Sequence, residues 1–136
     1  MRCLIVEDDF AARKLLQAHL CDFGECFIAV NGREAVDAVQ EALAEGEPYD
    51  LICLDIMMPQ MDGHDALEAI RKVEREHGVK KGDCAKVIMT TALNDPKNVM
   101  GAFREGCEAY IVKPVQKEKL LAEMEKLGVI QLEAAE

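Results

Sequence analysis

The chain has no tryptophan, only two tyrosines and four phenylalanines. So few aromatic faces argue against a surface on which single-stranded nucleic acid would stack its bases. Basic charge is also scarce: 16 Lys and Arg stand against 26 Asp and Glu, a formal net charge of −10. Nucleic acid is bound largely by neutralising its phosphates, so DNA and RNA are poor partners for such a chain. The acidic balance suits basic protein surfaces or cations. No apolar run approaches the ~20 residues that cross a bilayer. The N-terminus passes straight into a strand pattern, Arg2 to Val6, and then meets acids, unlike a secretory leader. The six cysteines (Cys3, Cys21, Cys26, Cys53, Cys84 and Cys107) include no C-x-x-C pair, and no histidine lies near them at zinc-finger spacing. Cys3, Cys26 and Cys53 fall inside apolar runs, where cysteine behaves as a small hydrophobe. A reduced, cytoplasmic protein is expected.

What is present is an alternation. The 136 residues, half of them apolar, suit one domain with one core. Cys3-Leu4-Ile5-Val6 reads as a short buried strand that ends abruptly at Glu7-Asp8-Asp9. Ala11, Ala12, Leu15, Leu16, His19, Leu20 and Phe23 then recur at helical spacing, with Gly24 at the stop. Cys26 to Val30 is a second strand. Asn31 three residues before Glu34 is a capping-box pattern, and Ala35, Val36, Val39, Ala42 and Leu43 form the stripe of the helix behind it. Tyr49 to Asp55 is a third strand. Ala66, Leu67, Ile70 and Val73 mark a third helix ending near Gly78, followed by a polar, basic surface connection. Lys86 to Thr91 is a fourth strand. Asp95-Pro96 opens a helix with Val99, Met100 and Phe103 inward and Gly106 at its close. Ala109 to Val112 is a fifth strand, and Leu120, Leu121, Met124 and Leu127 mark the last helix. Residues 1–127 form the expected domain; residues 128–136 are a tail of unassigned structure. Five strand–helix alternations predict an α/β protein, a parallel sheet with helices on both faces and right-handed crossovers.

Such sheets bind ligands beyond the carboxyl ends of their strands. There the first strand places Glu7, Asp8 and Asp9, the third Asp55, the fourth Thr90 and Thr91, and the fifth Lys113, just after Tyr110. Asp55 alone, at the mouth of a buried strand, is either a surface cap or a reactive group held rigidly. Its company favours the second. Two carboxylates about 4 Å apart repel by about 4 kcal/mol at an effective dielectric near 20, so something positive should bind among them. An oxygen-only set with room for water and phosphate suits Mg²⁺; Ca²⁺ would want more protein ligands.

Taken together, Glu7-Asp8-Asp9, Asp55 through Gly63, Thr91-Ala92 and Tyr110-Ile111-Val112-Lys113-Pro114 resemble a response-regulator receiver domain of the single-domain, chemotaxis-regulator type, over residues 2 to about 127. The resemblance implies a flavodoxin-like sheet of order 2-1-3-4-5. It implies a stand-alone regulator of a two-component system or phosphorelay, with Asp55 phosphorylated by a histidine kinase or histidine phosphotransfer protein. Asp9 would bind Mg²⁺ directly and Asp8 mainly through water, with Asp55 and the backbone carbonyl of Met57 completing the protein ligands. Thr91 would hydrogen-bond the phosphoryl group, Lys113 would pair with it, and Lys113-Pro114 would be a cis peptide. Thr91 moving toward the phosphoryl group would let Tyr110 turn inward and repack the face made by the fourth helix, fifth strand and fifth helix, where the downstream protein target binds.

Two positions depart from a polar pattern: Met57, two past Asp55, and Leu93, two past Thr91. Neither side chain can orient an attacking water, so slow self-dephosphorylation is expected; a plain covering role is the other reading. A Mg²⁺-dependent phosphohydrolase would resemble Asp-x-Asp, and Met57 stands where its second acid would be. The chain is therefore read as a phosphoacceptor that assists its own modification rather than as an enzyme. A nucleotide-binding or flavin-binding domain is disfavoured because no glycine-rich loop follows the first strand. Met57, Met58 and Met61 read as loop packing, His64 as a surface histidine just inside a helix, His19 as an ordinary helix residue, and Glu7 as a solvent-facing acid that shapes its loop, with a third metal ligand as its other reading.

Overall fold

The computed structural model describes residues 1–58, 61–92 and 106–132. Five strands, β1 (Arg2–Val6), β2 (Glu25–Ala29), β3 (Leu51–Asp55), β4 (Lys86–Thr91) and β5 (Ala109–Val112), form one parallel sheet in the order β2-β1-β3-β4-β5. Four helices accompany it among the described residues: α1 (Phe10–Leu20), α2 (Gly32–Ala44), α3 (Gly63–Glu76) and α4 (Lys117–Lys126). The expected helix at Asp95-Pro96, with Val99, Met100 and Phe103, lies outside the described residues, as does Leu93.

Alternation along each strand divides the core in two. Leu4, Val6, Ile52, Leu54, Val87 and Met89 meet Val39 of α2 and Leu67 and Ile70 of α3. Cys3, Ile5, Leu51, Cys53, Ile88 and Ile111 meet Leu16 and Leu20 of α1 and Leu120 and Met124 of α4. The three central strands are buried on both faces, which is why they read as unbroken apolar runs. On α1 the apolar stripe is wider than the buried face: Leu16 and Leu20 are covered, whereas Phe10 and Leu15 are exposed.

Local signals account for the helix starts. Asn31 accepts from Glu34 N at 2.8 Å, and the Glu34 carboxylate accepts from Val30 N at 3.1 Å, closing the box one residue ahead of the cap. Helix α3 begins three residues before its first expected apolar position. Asp62 accepts from Asp65 N at 2.9 Å as the N-cap. Gly63 permits this start: a Cβ there would lie 2.4 Å from the Asp55 carbonyl oxygen and 2.7 Å from Ile56 Cα. Its role is close approach rather than an unusual φ.

At the amino ends of β4 and β5 stands a part-buried ionic cluster that no sequence pattern marks. Arg71 Nη1 donates to Glu74 at 2.8 Å and to the Ala85 carbonyl at 2.9 Å; Nη2 donates to the Gly106 carbonyl at 2.6 Å and to Glu108 at 3.1 Å. The acids accept in turn from backbone: Glu74 from Ala85 N at 2.9 Å, Glu108 from Val87 N at 2.5 Å. Beyond α4, Val129 and Ile130 pack against the α1/α4 core, and Leu132 N donates to Glu125 at 3.1 Å.

Candidate functional site

The face that carries Cys3 and Ile5 carries Glu7 two residues on, and the face of Leu51 and Cys53 carries Asp55. Both acids therefore arrive on the α1/α4 side, where β1 and β3 lie next to each other. Glu7 is 0% exposed and Asp55 2%. Lys113, one residue beyond β5, reaches Glu7 at 2.5 Å and Asp55 at 3.3 Å. Its backbone N donates to the Thr91 carbonyl at 2.7 Å, and the Lys113–Pro114 peptide is cis. Ligand oxygens of Glu7, Asp8 and Asp55 lie within 4.8 Å of one another, with Asp8 exposed at the rim.

Charge in this group is unbalanced, three acids against one amine. Burial, reinforced by the charge of Glu7 and opposed by Lys113, raises Asp55 from 3.8 to about 7. Burial works against the Lys113 ammonium, but its hydrogen bond to Glu7 and the charges of Asp55 and Glu7 outweigh that and raise its pKa. A group of oxygens this crowded favours either a proton or a cation. The donor set, carboxylates with an open rim, fits Mg²⁺.

The acids that converge are shifted by one residue from the expected set. Asp9, expected as the direct ligand, caps α1: its carboxylate accepts from Ala12 N at 2.8 Å, because the first helical N–H groups need an acceptor and its extended backbone turns it toward them. Glu7, expected to face solvent, is fully buried and takes the place beside Lys113. Asp8, expected to act through water, stands with its carboxylate in the group itself. Strand alternation decides which acid of Glu7-Asp8-Asp9 faces inward, and a run of three acids does not reveal it.

The remaining residues are placed as follows. Thr91 is buried at the end of β4, in register with Val112, while Thr90 is in register with Asp55. Tyr110 is 36% exposed on β5. Met57 N donates to Asp55 at 3.2 Å, and the Met57 side chain is 58% exposed at the rim. Met58 is buried and Met61 packs against the α2/α3 core, so two of the three methionines fill the loop and Met57 does not. His64 is half-buried in the first turn of α3.

Two supporting contacts left no sequence signal. Arg13 Nη1 donates to the Glu7 carbonyl at 3.1 Å, holding the acidic loop from one turn into α1. His19 Nε2 lies 3.0 Å from the Val115 carbonyl, tying α1 to the loop that carries Lys113. Beside them an apolar groove of about 400 Å³, lined by Ala11, Ala12, Leu15 and Pro114, opens next to Glu7 and Lys113.

A sheet of this order, with buried acids and a lysine at the carboxyl ends of its strands, defines a receiver module. Residues 3–125 match the family model described as the response regulator receiver domain, and the chain belongs to that family. It is 35% identical over 128 residues to the chemotaxis protein CheY of Listeria monocytogenes, covering 93% of this chain and 97% of that protein. It is 33% identical over 131 residues to hybrid signal transduction histidine kinase B of Dictyostelium discoideum, covering 92% of this chain but 6% of that protein. Among solved structures, the receiver domain of the Arabidopsis thaliana histidine kinase CKI1, complexed with Mg²⁺ and BeF₃⁻, superimposes with a TM-score of 0.83 at 28% identity, over 95% of this chain and 90% of that one. CheY4 of Vibrio cholerae gives 0.77 at 28% identity, over 93% and 97%. Receiver modules thus occur in relatives both as nearly the whole protein and as a small part of a kinase. No helix among the described residues is long and apolar enough to cross a membrane.

Proposed function

We propose that the chain is a phosphoacceptor of two-component or phosphorelay signalling, modified on Asp55 by a histidine kinase or histidine phosphotransfer protein. The observation that carries this is the Asp55 carboxylate, buried and 3.3 Å from the Lys113 ammonium, with Glu7 and Asp8 beside it. An Asp55 oxygen attacks the phosphorus of a phosphohistidine; the O–P bond forms as the P–N bond breaks, and the imidazole leaves. Lys113 meets the phosphoryl oxygens, and in a transfer of this kind positioning and charge neutralisation do most of the work. Asp8, Asp55 and the Met57 carbonyl would hold Mg²⁺, with Glu7 behind them anchoring Lys113. That ion would supply the positive charge the three acids lack. The groove along α1 beside Pro114 gives a helical donor an apolar seat next to the reacting carboxylate.

The added phosphoryl group brings negative charge and acceptor oxygens to the rim. Thr91 would turn toward it and Tyr110 inward, repacking the β5 and α4 surface for a downstream protein as a shift between two packings. Met57, apolar and exposed where a second acid would serve a phosphohydrolase, supports slow self-dephosphorylation rather than enzymatic turnover.

Incubation with acetyl phosphate and Mg²⁺, followed by intact mass, tests the reading. One added phosphoryl group is expected in the wild type and none in Asp55→Asn. Steady hydrolysis of a small phosphoester without accumulation of the adduct would replace this reading with a hydrolase.

A further inference from the structure

Three of the six free cysteines meet on one face of the sheet. Cys3 of β1 is in direct register with Cys26 of β2, and Cys53 of β3 lies two residues beyond Leu51, the register partner of Cys3. Cys3 and Cys53 are 0% and 1% exposed, but β2 is the edge strand and Cys26 is only half-buried. Of the three, only Cys26 keeps surface toward solvent, and it has a sealed thiol beside it.

Adjacent strands lie about 4.8 Å apart, inside the range of about 4.4–6.8 Å that a disulfide spans between Cα atoms. The charge distribution of the pair is uneven. A hydrogen bond from the Cys3 thiol, against the effect of burial, holds Cys26 down at about 7. Its contacts with Cys26 and Cys53, with burial adding to them, push Cys3 well above its ordinary value. The outer sulfur is thus the nucleophile and the inner one the proton-bearing partner, an order suited to attack from solvent followed by internal resolution.

We propose that Cys26 is a site of thiol–disulfide exchange with low-molecular-weight disulfides of the glutathione type, resolved by Cys3 into a reversible Cys3–Cys26 cross-strand disulfide. In the first step the Cys26 thiolate attacks one glutathione sulfur. The glutathione S–S bond breaks, a mixed disulfide forms on Cys26, and one glutathione thiolate leaves. In the second, Cys3 gives up its proton and attacks the Cys26 sulfur, expelling the second glutathione thiolate. Two protein thiols are oxidised by two electrons, one glutathione disulfide is reduced to two thiols, and the released protons end on those leaving groups. Cys21, exposed on the surface, has no thiol in register and serves as an internal control.

The test treats the full chain with glutathione disulfide, then unfolds it, alkylates the remaining thiols and maps peptides by mass. Alkylatable cysteines fall from six to four, the Cys3 and Cys26 peptides are joined, and dithiothreitol restores all six. Cys26→Ser abolishes the cross-link, and Cys21→Ser leaves it intact. Cys3→Ala accumulates the glutathione adduct on Cys26; should that core substitution unfold the chain, the Cys26→Ser comparison still decides. A Cys3–Cys53 linkage, a stable adduct on Cys26 with Cys3 alkylatable, or protection confined to Cys21 or Cys84 would overturn the proposal.

Discussion

At the carboxyl ends of the strands, Glu7 and Asp55 share Lys113, with Asp8 beside them; at the amino ends of β4 and β5, Glu74 and Glu108 share Arg71. The side-chain chemistry is nearly the same and the surroundings are not. Each acid of the Arg71 cluster also accepts a backbone N–H, from Ala85 or Val87, and Arg71 spends its remaining donors on two carbonyls. Burial still raises Glu108, against the pull of the Val87 N–H and Arg71. That cluster is closed: the chain itself answers its charges. The Lys113 cluster is open, with two acids in excess of its one amine and an exposed rim. A buried ionic group whose partners are all internal acts as a staple, whereas one left in deficit is poised for an outside ligand.

The contrast can be broken most forcefully at Arg71. Arg71→Ala strands two carboxylates and is expected to cost about 3–5 kcal/mol in urea denaturation. The response of the surviving fold to Mg²⁺ should be unaltered. Next in size is the ion. With Mg²⁺ at about a hundred times its dissociation constant, stability rises by about 2.7 kcal/mol. The gain is read as a higher Tm, reversed by chelation and lost in Asp8→Asn. A Tm indifferent to Mg²⁺ would remove the distinction between the two clusters.

Proton binding gives a smaller effect of fixed sign. Folded Asp55 titrates at about 7 against 3.8 ordinarily, so between those values the folded chain keeps a proton that the unfolded chain releases. Stability from the protonated form is full below about 4 and is lost as pH rises through about 7. In chelator, the Tm advantage of Asp55→Asn over wild type should therefore widen by several degrees from pH 4 to pH 8. A constant gap would mean that Asp55 is not strained. The smallest change concerns lifetime. The acyl phosphate should persist for minutes or longer after donor removal, and Met57→Asn should shorten it several-fold. Decay within seconds in the wild type would reject a water-excluding Met57.

Much of this architecture is legible in the chain. Strands such as Leu51–Asp55 announce themselves because burial on both faces leaves no polar interruption, and Asn31 with Glu34 marks a helix entrance by hydrogen-bond geometry that three residues determine. Asp55 and Lys113 are legible for the same reason, since each ends such a run. Glu7, Asp8 and Asp9 are not, because three consecutive acids offer the same chemistry to opposite faces and only the register with β2 and β3 chooses among them. Arg71, Glu74 and Glu108 look like solvated charges: they come from a helix and a strand entrance 37 residues apart, and nothing local brings them together. Asp62 reads as a turn because Gly63 follows it, and only the proximity of the Asp55 carbonyl shows why that glycine begins a helix.

Asp9 holds two neighbours at once. Its carboxylate closes the first turn of α1, and its own N–H is donated to the Glu7 carboxylate at 3.1 Å. Asp9 thus ties Glu7 to the root of α1, so that any displacement of Glu7 at the rim would be felt at the first turn of that helix and at the apolar groove along it. Such a path would run along α1, separate from the one proposed through Thr91 and Tyr110.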